Sequence, residues 1–91
     1  MTIQSSVQGV FSDTGTSNSV PISLRGSLSL LGTFTATILL ERSADGGVTW
    51  GVVETYTAAA EATIDGSKVE YLYRVRCSDH TSGNISYVLG Q

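Results

Sequence analysis

Along most of this chain apolar residues return at every second position, the period of a strand with one buried face. The clearest run is Thr33–Arg42, in which Phe34, Ala36, Ile38 and Leu40 face one way and Thr35, Thr37, Leu39 and Glu41 the other. Three threonines in that run disfavour a helix and suit a pleated surface. A second strong run is Val69–Ser78, where Val69, Tyr71, Tyr73, Val75 and Cys77 line the inner face and Glu70, Leu72, Arg74 and Arg76 the outer one. Ile85, Tyr87 and Leu89 alternate with Ser86 and Val88 as a closing strand. Val20, Ile22, Leu24, Leu28 and Leu30 share one parity with Gly26 at the centre, which predicts one long strand or two hinged at that glycine. Pro21 lacks a backbone donor and belongs at a strand start or on an edge. Val48–Tyr56 reads as the return strand after Arg42, and Ala62–Ile64 as a short one.

Between these runs lie turn formers: Ser12–Ser19 as a loop, Leu31-Gly32 as a corner, Asp65-Gly66-Ser67 as a turn and Asp79–Gly83 as a hairpin loop. The one helix-friendly run, Ala58–Ala62, is too short to hold a helix alone. Val7–Phe11 reads either as a first strand or as part of an extended arm that orders on a partner. The expected organisation is therefore residues 1–19 as N-terminal arm or first strand and loop, and residues 20–91 as one sandwich domain. About seven short strands at regular spacing predict an all-β fold, an antiparallel sandwich or small barrel.

Ser43–Trp50 joins two of these strands. Asp45 is placed to accept backbone N–H bonds inside the turn, Gly46-Gly47 supply positive φ, and Trp50 is placed to cover the turn. Ser43-x-Asp45-x-Gly47-x-Thr49-Trp50 resembles the Asp-box of sialidase-type propellers, a structural motif lying away from the active site in those families. Here it occurs once, without the arginine cluster, tyrosine nucleophile or repeats of a sialidase, so the resemblance implies a hairpin lock and no glycosidase. Tyr71-x-Tyr73-Arg74-Val75-Arg76 followed by Ser82-Gly83 resembles the penultimate strand and last turn of immunoglobulin-like (Ig-like) or fibronectin-III-like sandwiches, with Tyr71 as the tyrosine of a tyrosine corner. From Thr33 to Leu89 the chain is also similar to small proteins encoded among the structural genes of tailed bacteriophages. The residues carrying that similarity are Leu40-Glu41-Arg42-Ser43 through Trp50, Tyr73-Arg74-Val75-Arg76-Cys77, and Ser82-Gly83.

Composition narrows the chemistry. Only 14% of the 91 residues are charged, which leaves a sparsely charged surface suited to other protein. The net charge is -3, and Arg25, Arg42, Lys68, Arg74 and Arg76 form no basic run, which argues against nucleic acid as a partner. Met1–Ser6 has no basic start or apolar run, so it predicts no secretory signal, and no apolar run approaches a membrane span. Cys77 is alone and reads as a buried thiol; as a nucleophile it would need His80 beside it, three positions on. Asp13, Glu41, Asp45 and Glu54 read as single carboxylates in turns and on solvated faces. A calcium site would require the turn of Asp45 to meet that of Asp65 or Asp79. Arg42, Arg74 and Arg76 read either as partners of Glu41, Glu54 or Glu70, or as a subunit contact. The expected sets of catalytic, cofactor-binding and metal-binding residues are all empty.

These readings lead to an expectation of function. The phage resemblance implies a non-enzymatic structural component of a tailed phage particle, made in the host cytoplasm and resident in the virion. It would act as capsid decoration or as a neck or tail accessory protein. Its partners would be major capsid, neck or tail proteins, and it would form a symmetric homo-oligomer, with a trimer as the expected state. The alternative is a carbohydrate-binding or adhesion module on the same sandwich, using Trp50, Tyr56 and Tyr87 as a surface.

Overall fold

The computed structural model describes residues 6–65 and 71–90. These residues form nine strands and no helix: β1 (Ser6–Phe11), β2 (Gly15–Thr16), β3 (Val20–Ile22), β4 (Arg25–Leu31), β5 (Phe34–Ser43), β6 (Gly51–Tyr56), β7 (Ala60–Asp65), β8 (Tyr71–Gly83) and β9 (Ile85–Gly90). Every pairing is antiparallel. One sheet has the order β1-β9-β4-β7, and the other the order β2-β8-β5-β6, with β3 also paired to β8. The sheets pack face to face. Ile22, Leu30, Ile38, Val75, Ile85 and Leu89 are among the side chains sealed between them.

The predicted antiparallel β-sandwich is thus the observed architecture. Its strand order differs from the Ig-like one, which would set the last strand beside the one before it. Here β9 lies between β1 and β4 in the opposite sheet from β8. Because β2 and β3 pair with successive parts of β8, they act as two halves of one strand, leaving eight strand positions. First pairs with last (β1–β9), second with seventh (β2/β3–β8), third with sixth (β4–β7) and fourth with fifth (β5–β6). That nesting is the double-sheet jelly roll.

The nesting has a single centre. The midpoints of Ser6↔Gly90, Gly15↔Cys77, Val20↔Tyr73, Leu30↔Ala60 and Arg42↔Gly51 all fall within Asp45–Val48. The chain is one long hairpin doubled at the Ser43–Trp50 turn and then rolled, which brings β4 against β9 and β5 against β8.

Several predicted elements shift. The Val20–Leu30 run breaks at Ser23-Leu24 instead of Gly26, because β3 and β4 belong to different sheets. Leu24 sits at φ 65 in a three-residue turn closed by Arg25 N–H donating to Ser23 O at 2.7 Å, and its side chain is exposed. Asp79–Gly83 is strand and not a loop. The ten residues of β5 give β8 ladder partners as far as Phe34↔Gly83, and two register shifts absorb the additional residues. The strand alternative for Val7–Phe11 is the one adopted, in unbroken register with β9. The predicted loop Ser12–Ser19 contains β2 and Ser17, whose N–H donates to Val75 O at 2.8 Å and whose Oγ accepts from Val75 N–H at 2.9 Å. That serine carries the ladder across the gap between β2 and β3. Val69 and Glu70, placed in a strand from the alternation, lie outside the described residues.

Candidate functional site

The Ser43–Trp50 turn is closed by its own side chains. Ser43, buried at the end of β5, donates its Oγ–H to Asp45 Oδ1 at 2.7 Å and accepts Gly47 N–H at 2.8 Å. Asp45 Oδ1 accepts Thr49 N–H at 2.9 Å, and its Oδ2 accepts the Thr49 hydroxyl. Gly46 and Gly47, at φ 76 and 98, bend the chain so that these donors converge. Trp50 donates its indole N–H to Gly47 O at 3.1 Å, capping the turn. The hydrogen bonds from Thr49, followed by that from Ser43, hold the Asp45 carboxyl at about 2, below its usual 3.8.

A pH dependence follows from that shift. A carboxyl with a depressed folded-state pKa contributes stability that is complete above its unfolded value, near 4, and lost as pH falls towards 2. Between those limits the melting temperature of the wild-type chain is expected to fall faster than that of Asp45→Asn, which keeps the acceptor geometry at Oδ1 but carries no charge. Melting curves of the two at pH 5, 3.5 and 2.5 measure this; parallel curves would show that the turn bonds are indifferent to the charge.

Beside the turn, on the outer face of the second sheet, lies the main charged cluster among the described residues. Glu41 is only 4% exposed. It accepts Arg74 Nε–H at 2.8 Å and Arg76 Nε–H at 3.2 Å from the adjacent β8. The Arg74 guanidinium lies 4.1 Å over the Trp50 ring, so the indole that caps the turn also covers the ion pair. Arg74 and Arg76 are therefore paired within the chain, with Glu41 as the shared partner. Arg42 points elsewhere, its guanidinium 4.9 Å over the Tyr71 ring. The segment linking Asp65 to Tyr71, on which a tyrosine corner would depend, lies outside the described residues.

The other candidates are not brought together. Cys77 faces the core, its Sγ 3.5 Å from Asp79 O, and burial pushes the thiol pKa up. His80 Nε2 is engaged with Gly83 O at 2.6 Å. Asp13 Oδ1 caps Thr14 N–H at 2.7 Å, while Glu54 faces inward opposite Leu40 at the β6 edge. Among the described residues no three His, Cys, Asp or Glu side chains converge as a metal site. A cleft of about 120 Å³ between the sheets is lined in part by Arg42, Glu54, Tyr56 and Tyr73. Comparison with known proteins gives no match. That holds for family models, curated proteins and solved structures alike.

The outer face of the first sheet carries Gln8 and Val10 from β1, Ser86 and Val88 from β9, Ser27, Ser29 and Leu31 from β4, and Glu61 and Thr63 from β7. Val10, Leu31 and Val88 are 59%, 53% and 44% exposed around Ser86. Two described charges flank this cluster: Glu61, which accepts the Ser29 hydroxyl at 3.0 Å, and exposed Arg25 at the start of β4. The sequence alternation had placed Ser86 and Val88 outward. It could not show that Val10 and Leu31 would flank them, because that row exists only once β9 has crossed to the other sheet.

Proposed function

We propose that this chain is a non-enzymatic structural subunit of a tailed phage particle, acting through protein–protein assembly as capsid decoration or as a neck or tail accessory. The observation that carries this reading is the outer face of the first sheet around Ser86, where three exposed aliphatic residues form one cluster and the nearest described charges, Arg25 and Glu61, stand to one side on β4 and β7. Such a face is poorly suited to remain in water and well suited to a partner of similar character. Leu24, presented to solvent on a strained turn, is a second apolar contact point. The jelly-roll strand order agrees with this reading by analogy, since viral capsid domains use it, although lectin domains do too. The partners are major capsid, neck or tail proteins together with other copies of the chain, and its location is the virion.

The adhesion-module alternative has less support. Trp50 is committed to Gly47 and Arg74, and Tyr87 is buried against Phe11, their ring centroids 4.6 Å apart. The test is reconstitution. Particles assembled without this chain should bind the purified protein saturably, at a stoichiometry matching a symmetric site on the particle, and Val10→Lys/Val88→Lys should weaken binding at least about tenfold. Particles that neither contain nor bind the chain would overturn the reading, and glycan-dependent binding would replace it with the adhesin.

A further inference from the structure

A two-sheet sandwich has four edge strands, and each presents unpaired N–H and C=O groups that another chain could use unless the edge is blunted. Three of the four are blunted here. The β2/β3 edge is broken into pieces of two and three residues, and the second contains Pro21. The β6 edge bulges opposite Leu40/Glu41, and Glu54 faces inward from it. The β7 edge carries a carboxylate, Glu61, at its second position. Each of these is a recognised obstacle to edge-to-edge pairing.

The fourth edge has no such device. β1 (SVQGVF) is six residues long, contains no charge and no proline, and pairs with β9 in unbroken register. Among the described residues its backbone makes no hydrogen bond to any strand except β9. Val10 and Val88 stand on the outer face beside this edge, along a shallow depression that also includes Gln8 and Ser86.

We propose that β1 is the pairing edge of this protein and that its partner is β1 of a second copy, joined antiparallel about a two-fold axis into one continuous eight-stranded sheet. The second copy is favoured because the edge is self-complementary. A two-fold centred on Gly9 sets inward Val7 against the partner's Phe11 and outward Gln8 against the partner's Val10, so both faces stay in phase. No pair across that seam involves a charge. The same operation on β7 would bring a Glu61 carboxylate from each copy to the seam, and on β6 it would meet the bulge. Such an interface is closed and isologous, so it gives dimers and neither filaments nor the three-fold assembly expected from sequence. This inference deepens the assembly reading above and rests on it for its purpose, but it is tested separately.

The full 91-residue chain is examined by sedimentation velocity from about 5 to 500 μM, a range suited to a short interface. Hydrogen exchange is followed at the same concentrations. The expected result is a monomer–dimer equilibrium in which amides of Ser6–Phe11 gain protection as concentration rises. Gln8→Lys/Val10→Lys, which lines the seam with like charges, should raise the dimer Kd at least about tenfold while the melting temperature at concentrations where the chain is monomeric stays unchanged. Val52→Lys/Val53→Lys on the β6 edge should leave Kd unchanged. A monomer at every concentration, a dimer that survives the β1 variant, or a dimer lost in the β6 variant would each overturn the proposal. A chain that rebinds particles yet stays monomeric would overturn the pairing alone, and a β1 dimer with no affinity for particles would overturn the virion reading alone.

Discussion

Glu41→Ala is expected to destabilise the chain by about 3 kcal/mol, more than any other substitution on its outer faces. The Glu41 carboxylate is almost fully buried, and its removal leaves Arg74 and Arg76 side by side on β8 with no counter-charge between them. Breaking a buried ion pair by removing one partner costs about 3–5 kcal/mol. The lower end applies because the arginines remain 25% and 39% exposed and water recovers part of their solvation. Arg74→Ala should cost less than Glu41→Ala but more than Arg76→Ala. Arg74 makes the shorter bond to Glu41 and also covers Trp50, whereas Arg76 is the more hydrated of the two. Urea denaturation of the three variants measures the order. A cost for Arg76→Ala equal to that of Glu41→Ala would mean that the carboxylate is not the centre of the cluster.

That cluster shows what could and could not be read from the chain. Alternation placed Glu41, Arg74 and Arg76 on outer faces, and that placement is correct. It carried no information that β5 and β8 are neighbours in a register setting Glu41 across from Arg74. Nor could it show that Trp50 would fold back over the pair, so a buried carboxylate read as a solvated one. The Ser43–Trp50 turn was legible in more detail, because its bonds join residues within a few positions of each other. The sandwich was legible from period and turn spacing, but the strand order was not. An Ig-like reading rests on Tyr71–Gly83 resembling a strand that leads into a hairpin. In the structure Tyr71–Gly83 is one strand of 13 residues, and the chain then leaves for the opposite sheet. Small polar residues such as Ser78, Thr81 and Ser82 fit a bulged strand as well as a loop, and only the ladder offered by β5 decides between the two.

The corner where that change of sheet occurs supplies the second large effect. Gly83→Ala is expected to cost about 4 kcal/mol, through backbone strain and overpacking together. Gly83 holds φ 87, where an L side chain is strained. A Cβ there would lie 2.7 Å from Phe34 Cα and closer still to Thr33 O, both backbone atoms that no rotamer change can move. The crowding has a topological origin. The chain passes from the first sheet to the second at Gly32-Thr33 and returns at Gly83-Asn84, and the two crossings lie against each other, with Gly32 itself facing Asn84 O. Gly46→Ala provides the control. Its φ of 76 is equally positive, but nothing lies within 4 Å of the added Cβ, so only the conformational penalty of about 1 kcal/mol applies. Denaturation midpoints of the two variants therefore separate strain from collision. Equal losses would show that the crossings can move apart. A loss of about 4 kcal/mol at Gly83 alone, a large share of the 5–15 kcal/mol that holds a domain folded, would show that the jelly-roll winding depends on this close backbone approach.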